Sequence, residues 1–216
     1  MMKVIFVAFD LDGVIVDTIS SWVWVHDHFG VNNDASLEAY RRGEIDDREF
    51  MRRDIALWLE KMPDITIDYI KNVLKDIPII NGARETVSAL KDKGIRTAII
   101  SGGLDIVARR VAKDLGIDYV LSNGLEVEPD GRLTGEGILR VELNKKGDAL
   151  KRLLSVLDVD PRRVAAVGNC DIDIPMFELC GLSIAFNPED YETEKAADFV
   201  VRSNDLRAIL PYIIAN

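Results

Sequence analysis

Cysteine and histidine are scarce in this chain, and basic residues are in the minority. Its 216 residues include two cysteines and two histidines, and 37 acidic residues outnumber 27 basic ones, for a formal net charge of −10. Two cysteines are too few for a disulfide scaffold of this length, so we expect Cys170 and Cys180 to be reduced thiols. Because phosphate backbones are bound by clustered Lys and Arg, the acidic balance also argues against nucleic acid or anionic lipid as a partner.

Long apolar runs are absent as well. The apolar N-terminal run is interrupted by Asp10 and Asp12 before a signal-peptide core or a membrane span could form. We therefore expect a cytoplasmic protein without a membrane partner. Apolar residues make up 48% of the chain and charged residues 30%, a balance typical of globular proteins, and the length suffices for one large core with a small insertion.

Five short apolar runs have the composition of strands that are buried on both faces. The segments between them place apolar residues at helical spacing, and strand alternates with helix from about residue 82 to the C-terminus. This alternation predicts an α/β fold in which a Rossmann-like parallel sheet is flanked by helices. The predicted strands are Lys3 to Phe9, Ile95 to Ile100, Val164 to Val167, Leu182 to Phe186 and Phe199 to Val201.

Two segments depart from this alternation. Residues 17–79 show helical patterns and no convincing strand, which predicts a small helical domain inserted after the first strand, with residues 1–16 and 80–216 forming the α/β core domain. The stretch LEVEPDGRLTGEG, residues 125–137, has a Pro-Asp-Gly turn between two extended pieces. It predicts a hairpin that projects from the main sheet.

Polar residues follow several of the predicted strands at the edge where reactive groups of open parallel sheets gather. Any one of them alone has a simpler explanation as a turn residue, a helix cap or a solvated lysine. Together they bring carboxylates, a hydroxyl, an ammonium group and an amide to one edge of the sheet. These residues are Asp10, Asp12, Ser101, Gly102, Lys146, Asn169, Asp171 and Asp173.

This combination of groups suits phosphoryl transfer. A carboxylate can attack phosphorus and form an aspartyl-phosphate, which divides one difficult step into two. A hard divalent cation with oxygen ligands offsets the repulsion between carboxylate and phosphate, and Mg²⁺ is the usual choice. Asp12 lies two residues after Asp10 and so points the same way along an extended chain, where it can protonate the leaving alcohol.

Four segments carry a resemblance to a known family: FDLDGVIVD at 9–17, IISGGLDIV at 100–107, LNKKGDAL at 143–150 and VGNCDIDIPMF at 167–177. With them the sequence resembles the haloacid dehalogenase superfamily on its phosphatase side, and most of all the phosphoserine phosphatase group. The resemblance spans nearly the whole chain. It implies an α/β core with a helical cap at residues 17–79 that closes over the substrate.

The resemblance also implies roles for the matching residues. Asp10 would be the nucleophile and a magnesium ligand, and Asp12 the general acid and base, with its backbone carbonyl also on the metal. Ser101 and Gly102 would bind the transferring phosphoryl group, and Lys146 would neutralise it. The implied activity is magnesium-dependent hydrolysis of a small phosphorylated metabolite by a monomer or a homodimer.

The metal site departs from the family pattern at one position. Asn169 and Asp173 fall where the family has its acidic metal-site pair, and the first of these is usually aspartate. An asparagine oxygen can coordinate Mg²⁺ without adding charge, so metal affinity should fall unless Asp171 or Asp173 compensates. Two alternatives therefore stay open: a phosphomutase or phosphotransferase built on the same core, and a weakened binding or regulatory protein that results from Asn169.

The predicted cap departs from the phosphoserine phosphatase group at two positions. That group places an acid for the substrate ammonium where this chain has Ile19, and an arginine for the substrate carboxylate where it has Asp54. These differences make phosphoserine a poor candidate for the natural substrate.

Overall fold

The computed structural model describes residues 3–214, and seven strands in this range form one sheet. Along the sheet the strands follow the order β4-β3-β2-β1-β5-β6-β7, and every neighbouring pair is parallel except β3 and β4. The strands are β1 (Phe6–Phe9), β2 (Arg96–Leu104), β3 (Tyr119–Val127), β4 (Leu133–Ile138), β5 (Val164–Gly168), β6 (Leu182–Phe186) and β7 (Phe199–Val201).

Helices connect the strands and cover both faces of the sheet. They are α1 (Ser21–Phe29), α2 (Asp34–Arg41), α3 (Asp47–Lys61), α4 (Ile67–Leu74), α5 (Ala83–Asp92), α6 (Asp105–Leu115), α7 (Lys146–Val156), α8 (Ile174–Leu179), α9 (Tyr191–Ala196) and α10 (Leu210–Ile214). The predicted α/β fold class and the five predicted strands are thus confirmed.

The central strand β1 explains why the apolar runs are continuous. Successive side chains of a strand point to opposite faces, and here both faces are covered. Val7 and Phe9 pack into one hydrophobic core, and Phe6 and Ala8 pack into a second core on the other side of the sheet. All four side chains are fully buried, as a strand covered on both faces requires.

Two strands extend beyond the ranges that the sequence predicts. β2 continues through Ser101 to Leu104 with a register irregularity over its last residues, and helix α6 begins directly after it at Asp105. The predicted hairpin is present as the antiparallel pair of β3 and β4, joined by a turn in which Gly131 N–H donates to the Glu128 carbonyl at 2.8 Å. Its first strand begins earlier, at Tyr119.

Backbone hydrogen bonds join the segment of helices α1 to α4 to the rest of the chain at its base and at the hairpin. At the base, Val16 forms a β-bridge with Ile79, and Asp17 N–H donates to the Pro78 carbonyl at 2.9 Å. At the hairpin, Ile67 N–H donates to the Gly131 carbonyl at 2.8 Å. The hairpin therefore supports these helices from the edge of the sheet.

Aromatic residues fill the interior of this helical segment. Trp58 is fully buried and stacks on Trp22 with ring centroids 5.4 Å apart. The Trp58 indole donates to Nδ1 of the buried His26 at 2.8 Å, so this histidine is part of the packed interior. Cys170 and Cys180 are free thiols, as expected. Within residues 3–214, no helix has both the length and the apolar character to span a membrane.

Candidate active site

Three neighbouring strands, β2, β1 and β5, bring the predicted site residues together at their carboxyl ends. Asp10 and Asp12 follow β1, Ser101 lies near the end of β2, and Asn169 follows β5, while Lys146 begins α7. All five side chains are buried and line one cavity of about 310 Å³. The sheet topology therefore collects groups that are far apart in the sequence.

The Lys146 ammonium group links two carboxylates below this cavity. Its Nζ lies 2.6 Å from Asp10 Oδ1 and 2.6 Å from Asp173 Oδ1, and the lysine side chain is only 2% exposed. The other oxygen of Asp173 accepts from the backbone N–H groups of Asn169 at 2.8 Å and Cys170 at 3.3 Å. Both oxygens of Asp173 thus have partners, and this carboxylate holds Lys146 in place beside Asp10.

Burial and charge oppose each other in this group. Burial alone would lower the pKa of Lys146, but the carboxylates of Asp10 and Asp173 raise it well above its usual value. Burial raises the pKa of the Asp10 carboxyl, and the Lys146 ammonium acts in the opposite direction. Lys146 therefore stays cationic at neutral pH and favours the anionic form of Asp10.

Asp12 is held by a residue of the helical segment. Its Oδ2 accepts hydrogen bonds from the backbone N–H and the hydroxyl of Ser21, both at 3.0 Å. Burial, followed by the nearby charge of Asp10, raises the pKa of Asp12 to about 7, and the Ser21 hydrogen bonds limit this rise. A carboxyl group with this pKa can both donate and accept a proton near neutral pH.

The glycine pair after Ser101 is explained by close contacts. A Cβ atom on Gly102 would lie 2.2 Å from Leu143 Cδ2, and one on Gly103 would lie 2.6 Å from Asp12 Oδ2. The Ser101 hydroxyl oxygen accepts from Gly103 N–H at 3.1 Å, which leaves its O–H free to donate to a ligand. Ser101 and the following backbone are thus arranged next to the two aspartates.

The oxygen donors near Asp10 fit a hard divalent cation. Within residues 3–214, no group of three His, Cys, Asp or Glu side chains has a metal-binding arrangement. The expected ligands were the Asp10 carboxylate, the Asp12 backbone carbonyl, the Asn169 amide oxygen and Asp173, and the first three of these are oxygen donors that suit such a cation without a cluster of three acidic side chains. The Oδ1 atoms of Asp12 and Asn169 are buried without a hydrogen-bond partner, as expected where a proton or a cation is to bind.

Four contributors to the site were not predicted from the sequence. Ser21 binds Asp12, Glu189 accepts from the Asn169 amide at 3.0 Å, and Trp22 and Asn123 donate to the Gly102 carbonyl at 3.1 and 3.3 Å. Each comes from a segment outside the matching motifs. The one available signal was the Ser-Ser pair at the start of the first helical pattern, which indicates a helix cap.

The outer wall of the cavity comes from the helical segment and is mostly apolar. Trp22, Phe50 and Met51 line it together with Arg41 and the buried Asp54. This wall faces the polar groups at the ends of the strands. The cavity is thus shaped for a small molecule with a polar end at the sheet.

The comparisons with known proteins agree with this geometry. The family model for haloacid dehalogenase-like hydrolases matches residues 7–178. The chain belongs to the haloacid dehalogenase-like hydrolase family. The hydrolase is 36% identical over 173 residues to a phosphoserine phosphatase of Methanocaldococcus jannaschii, with 79% of each chain covered. It is 32% identical over 207 residues to a phosphoserine phosphatase of Idiomarina loihiensis, with 94% of this chain and 91% of the relative covered.

Solved structures give the same result. A substrate-bound phosphoserine phosphatase complex superposes with a TM-score of 0.82 at 29% identity, covering 99% of this chain and all of the other. A phospho-aspartyl intermediate analogue of phosphoserine phosphatase gives 0.82 at 30% identity, covering 98% of this chain and all of the other. The hydrolase is a phosphatase, a phosphoric monoester hydrolase of the aspartyl-phosphate type. The predicted resemblance is confirmed.

The contact between Ser21 and Asp12 predicts a shift in pH dependence. The predicted role of Asp12 as general acid requires its protonated form when the phosphoenzyme forms from an alkyl phosphate, so the rate of this step should fall as pH rises through the Asp12 pKa of about 7. The Ser21 hydroxyl stabilises the charged carboxylate, so Ser21→Ala should raise that pKa and move the alkaline limb of kcat/KM upward by about one pH unit.

The control for this shift is the leaving group. With p-nitrophenyl phosphate, whose phenolate leaves without a proton, the alkaline limb should move little. An alkaline limb that stays in place for alkyl phosphates in Ser21→Ala, or that moves equally for both substrates, would contradict this role of Asp12.

Proposed function

We propose that this hydrolase is a magnesium-dependent phosphatase of small phosphomonoesters in which Asp10 is the nucleophile. The observation that carries the proposal is the buried contact of 2.6 Å between Lys146 Nζ and Asp10 Oδ1, at the inner end of the cavity and beside Asp12. A lysine in this position favours the anionic form of Asp10 and offers positive charge to an incoming phosphoryl group.

In the first step, an Asp10 carboxylate oxygen forms a bond to phosphorus while the bond from phosphorus to the leaving oxygen breaks. Protonated Asp12 gives its proton to the leaving alcohol, for which its pKa of about 7 is suited. Lys146, the Ser101 hydroxyl and the Gly102 N–H group bind the phosphoryl oxygens and stabilise the charge that develops on them. The products are an alcohol and phospho-Asp10.

In the second step, water attacks the phosphorus of phospho-Asp10. Asp12, now a carboxylate, accepts the proton from this water, and the bond from phosphorus to Asp10 breaks to release inorganic phosphate. Asp10 and protonated Asp12 are thereby restored. The contact with Ser21 keeps the Asp12 carboxylate aimed at the same place in both steps.

A divalent cation has a place next to these groups. The Asp10 carboxylate, the Asp12 backbone carbonyl and the Asn169 Oδ1 atom would hold Mg²⁺, whose chemistry is to offset the repulsion between carboxylate and phosphate. Asp173 was also predicted as a ligand from the sequence. Because both of its oxygens accept hydrogen bonds, we assign it to the support of Lys146 instead.

The helical segment closes the other side of the site. We propose that residues 17–79 form the cap and that residues 1–16 and 80–216 form the core domain. The β-bridge of Val16 with Ile79 and the hydrogen bond from Asp17 N–H to the Pro78 carbonyl bring the two ends of the cap together at this boundary. The cap supplies Ser21 and Trp22 to the site. A cytoplasmic location and a monomeric or homodimeric state stay predictions from the sequence.

The Asp54 side of the outer cavity wall disfavours a substrate carboxylate, whereas Arg41 brings a positive charge elsewhere on the same wall. The relatives are named phosphoserine phosphatases, but here the buried Asp54 carboxylate accepts from Asn33 Nδ2 at 3.0 and 3.1 Å and lies 3.3 Å from His26 Nε2, which fixes it at the wall. A substrate carboxylate placed next to Asp54 would be repelled. Ile19, which is 79% exposed, offers no charge to a substrate ammonium.

Hydrolysis of p-nitrophenyl phosphate tests the proposed nucleophile. We expect turnover that depends on added Mg²⁺ and that Asp10→Asn lowers by about a thousandfold or more, since this change keeps the shape but removes the nucleophile. Circular dichroism would verify that the variant is folded. Metal-independent turnover, or turnover that survives in Asp10→Asn, would overturn the proposal.

A pair of matched substrates tests whether the enzyme disfavours a carboxylate on the leaving alcohol. Phosphoethanolamine is phosphoserine without the carboxylate, so the ratio of kcat/KM for the two isolates the effect of that group. We expect phosphoethanolamine to be the better substrate, and Asp54→Asn to improve phosphoserine about tenfold with little change for phosphoethanolamine. A strong preference for phosphoserine in the parent enzyme would contradict the assignment.

A further inference from the structure

Asn169 raises a question that the motifs leave open. It lies directly after β5 and brings an amide to the proposed metal site, where the family pattern implies an acid, so it contributes no charge of its own. The acids expected to compensate do not contact its side chain. Asp173 binds the Asn169 backbone N–H, and the backbone N–H of Asp171 donates to Asp190 at 3.1 Å.

The side-chain contact of Asn169 is with Glu189, at the rim of the cavity. Asn169 Nδ2 donates to Glu189 Oε1 at 3.0 Å. An ionised carboxylate can only accept, so the amide nitrogen faces Glu189 and the amide oxygen faces the opposite way. That oxygen is the buried Oδ1 atom without a hydrogen-bond partner.

Glu189 is fixed relative to Asn169 by the backbone as well. Its N–H group donates to the Asn169 carbonyl at 2.8 Å, so the two residues are joined at two points. On the other side, the amide packs against the loop after Asp12, where a Cβ atom on Gly13 would lie 2.3 Å from Asn169 Nδ2. Only a glycine allows this close approach, and its φ of +78° also favours glycine.

We propose that Glu189 is a positioning residue for the divalent cation, and that Asn169 and Glu189 together replace a single acidic ligand. Asn169 supplies the oxygen that binds the cation. Glu189 orients this oxygen and brings a negative charge one hydrogen bond away, where it increases the electron density of the amide oxygen. Such outer partners of metal ligands typically change metal affinity by about 10- to 100-fold.

This inference rests on the proposed magnesium site, and direct binding measurements separate the two. Mg²⁺ binding to the substrate-free enzyme is measured by isothermal titration calorimetry, with Mn²⁺ binding by electron paramagnetic resonance as a second readout. Glu189→Ala should weaken binding by about tenfold or more. Glu189→Gln can still accept from Asn169 Nδ2 but lacks the charge, so it should fall between Glu189→Ala and the parent.

The charge argument predicts coupling between the two positions. In Asn169→Asp, two carboxylates face each other in place of the hydrogen bond from the amide to Glu189. Because they repel each other, this change alone should give little gain in Mg²⁺ affinity. In the Glu189→Gln background, the same change should raise Mg²⁺ affinity by about tenfold, because the cation then faces a single acid with an amide partner. The coupling is the difference between these two effects.

Glu192→Gln is the matched control, because it removes the same charge three residues further along, from an exposed position of α9. It should bind Mg²⁺ as the parent does. Parent-like binding in Glu189→Ala, or an equal effect of Asn169→Asp in both backgrounds, would overturn the inference while leaving the metal site intact. A parent that binds no Mg²⁺, or binding that is unchanged in Asp10→Ala, would overturn the metal site and this inference together.

Discussion

The site depends on one buried cation. Lys146 is almost fully enclosed and contacts Asp10 and Asp173 at 2.6 Å each, so its charge compensates two carboxylates that the protein interior could not otherwise hold. Removal of one member of such a buried group commonly costs about 3–5 kcal/mol, because it leaves the others without a partner. The same arrangement holds Asp10 next to a positive charge, which favours the anionic form that a nucleophile for phosphorus needs. The stability of the core edge and the proposed chemistry thus rest on the same contacts.

The helical segment contributes to the chemistry and not only to enclosure. Ser21 at the start of α1 binds Asp12, and the Trp22 indole donates to the Gly102 carbonyl at 3.1 Å, so two polar groups of the core are held from the helical side. The outer wall of the cavity also comes from these helices, with the buried Asp54 among apolar side chains. Change in this wall can therefore alter the accepted alcohol while the groups that act on phosphorus stay the same.

Much of the fold and of the site could be predicted from the sequence, and the features that could not be predicted depend on tertiary packing. Continuous apolar runs such as Phe6–Phe9 predicted the parallel sheet, because a strand buried on both faces has no polar alternation. The carboxyl-end rule then predicted that Asp10, Ser101 and Asn169 would meet. The contacts of Ser21 and Glu189 could not be predicted, since they join segments whose relative placement depends on tertiary packing. The extension of β2 past Ser101 was missed because Gly102 and Gly103 usually indicate the end of a strand, whereas here they allow close approach of Leu143 and Asp12.

The central claim is that the phosphoryl group passes through Asp10. It is tested most directly by rapid acid quenching of the enzyme during turnover of a ³²P-labelled phosphomonoester, followed by peptide mapping. The account predicts a label that is stable in acid, labile in alkali and to hydroxylamine, and located on the peptide that contains Asp10, as an acyl phosphate requires. A label on another residue, or hydrolysis that proceeds without any labelled protein under single-turnover conditions, would contradict it.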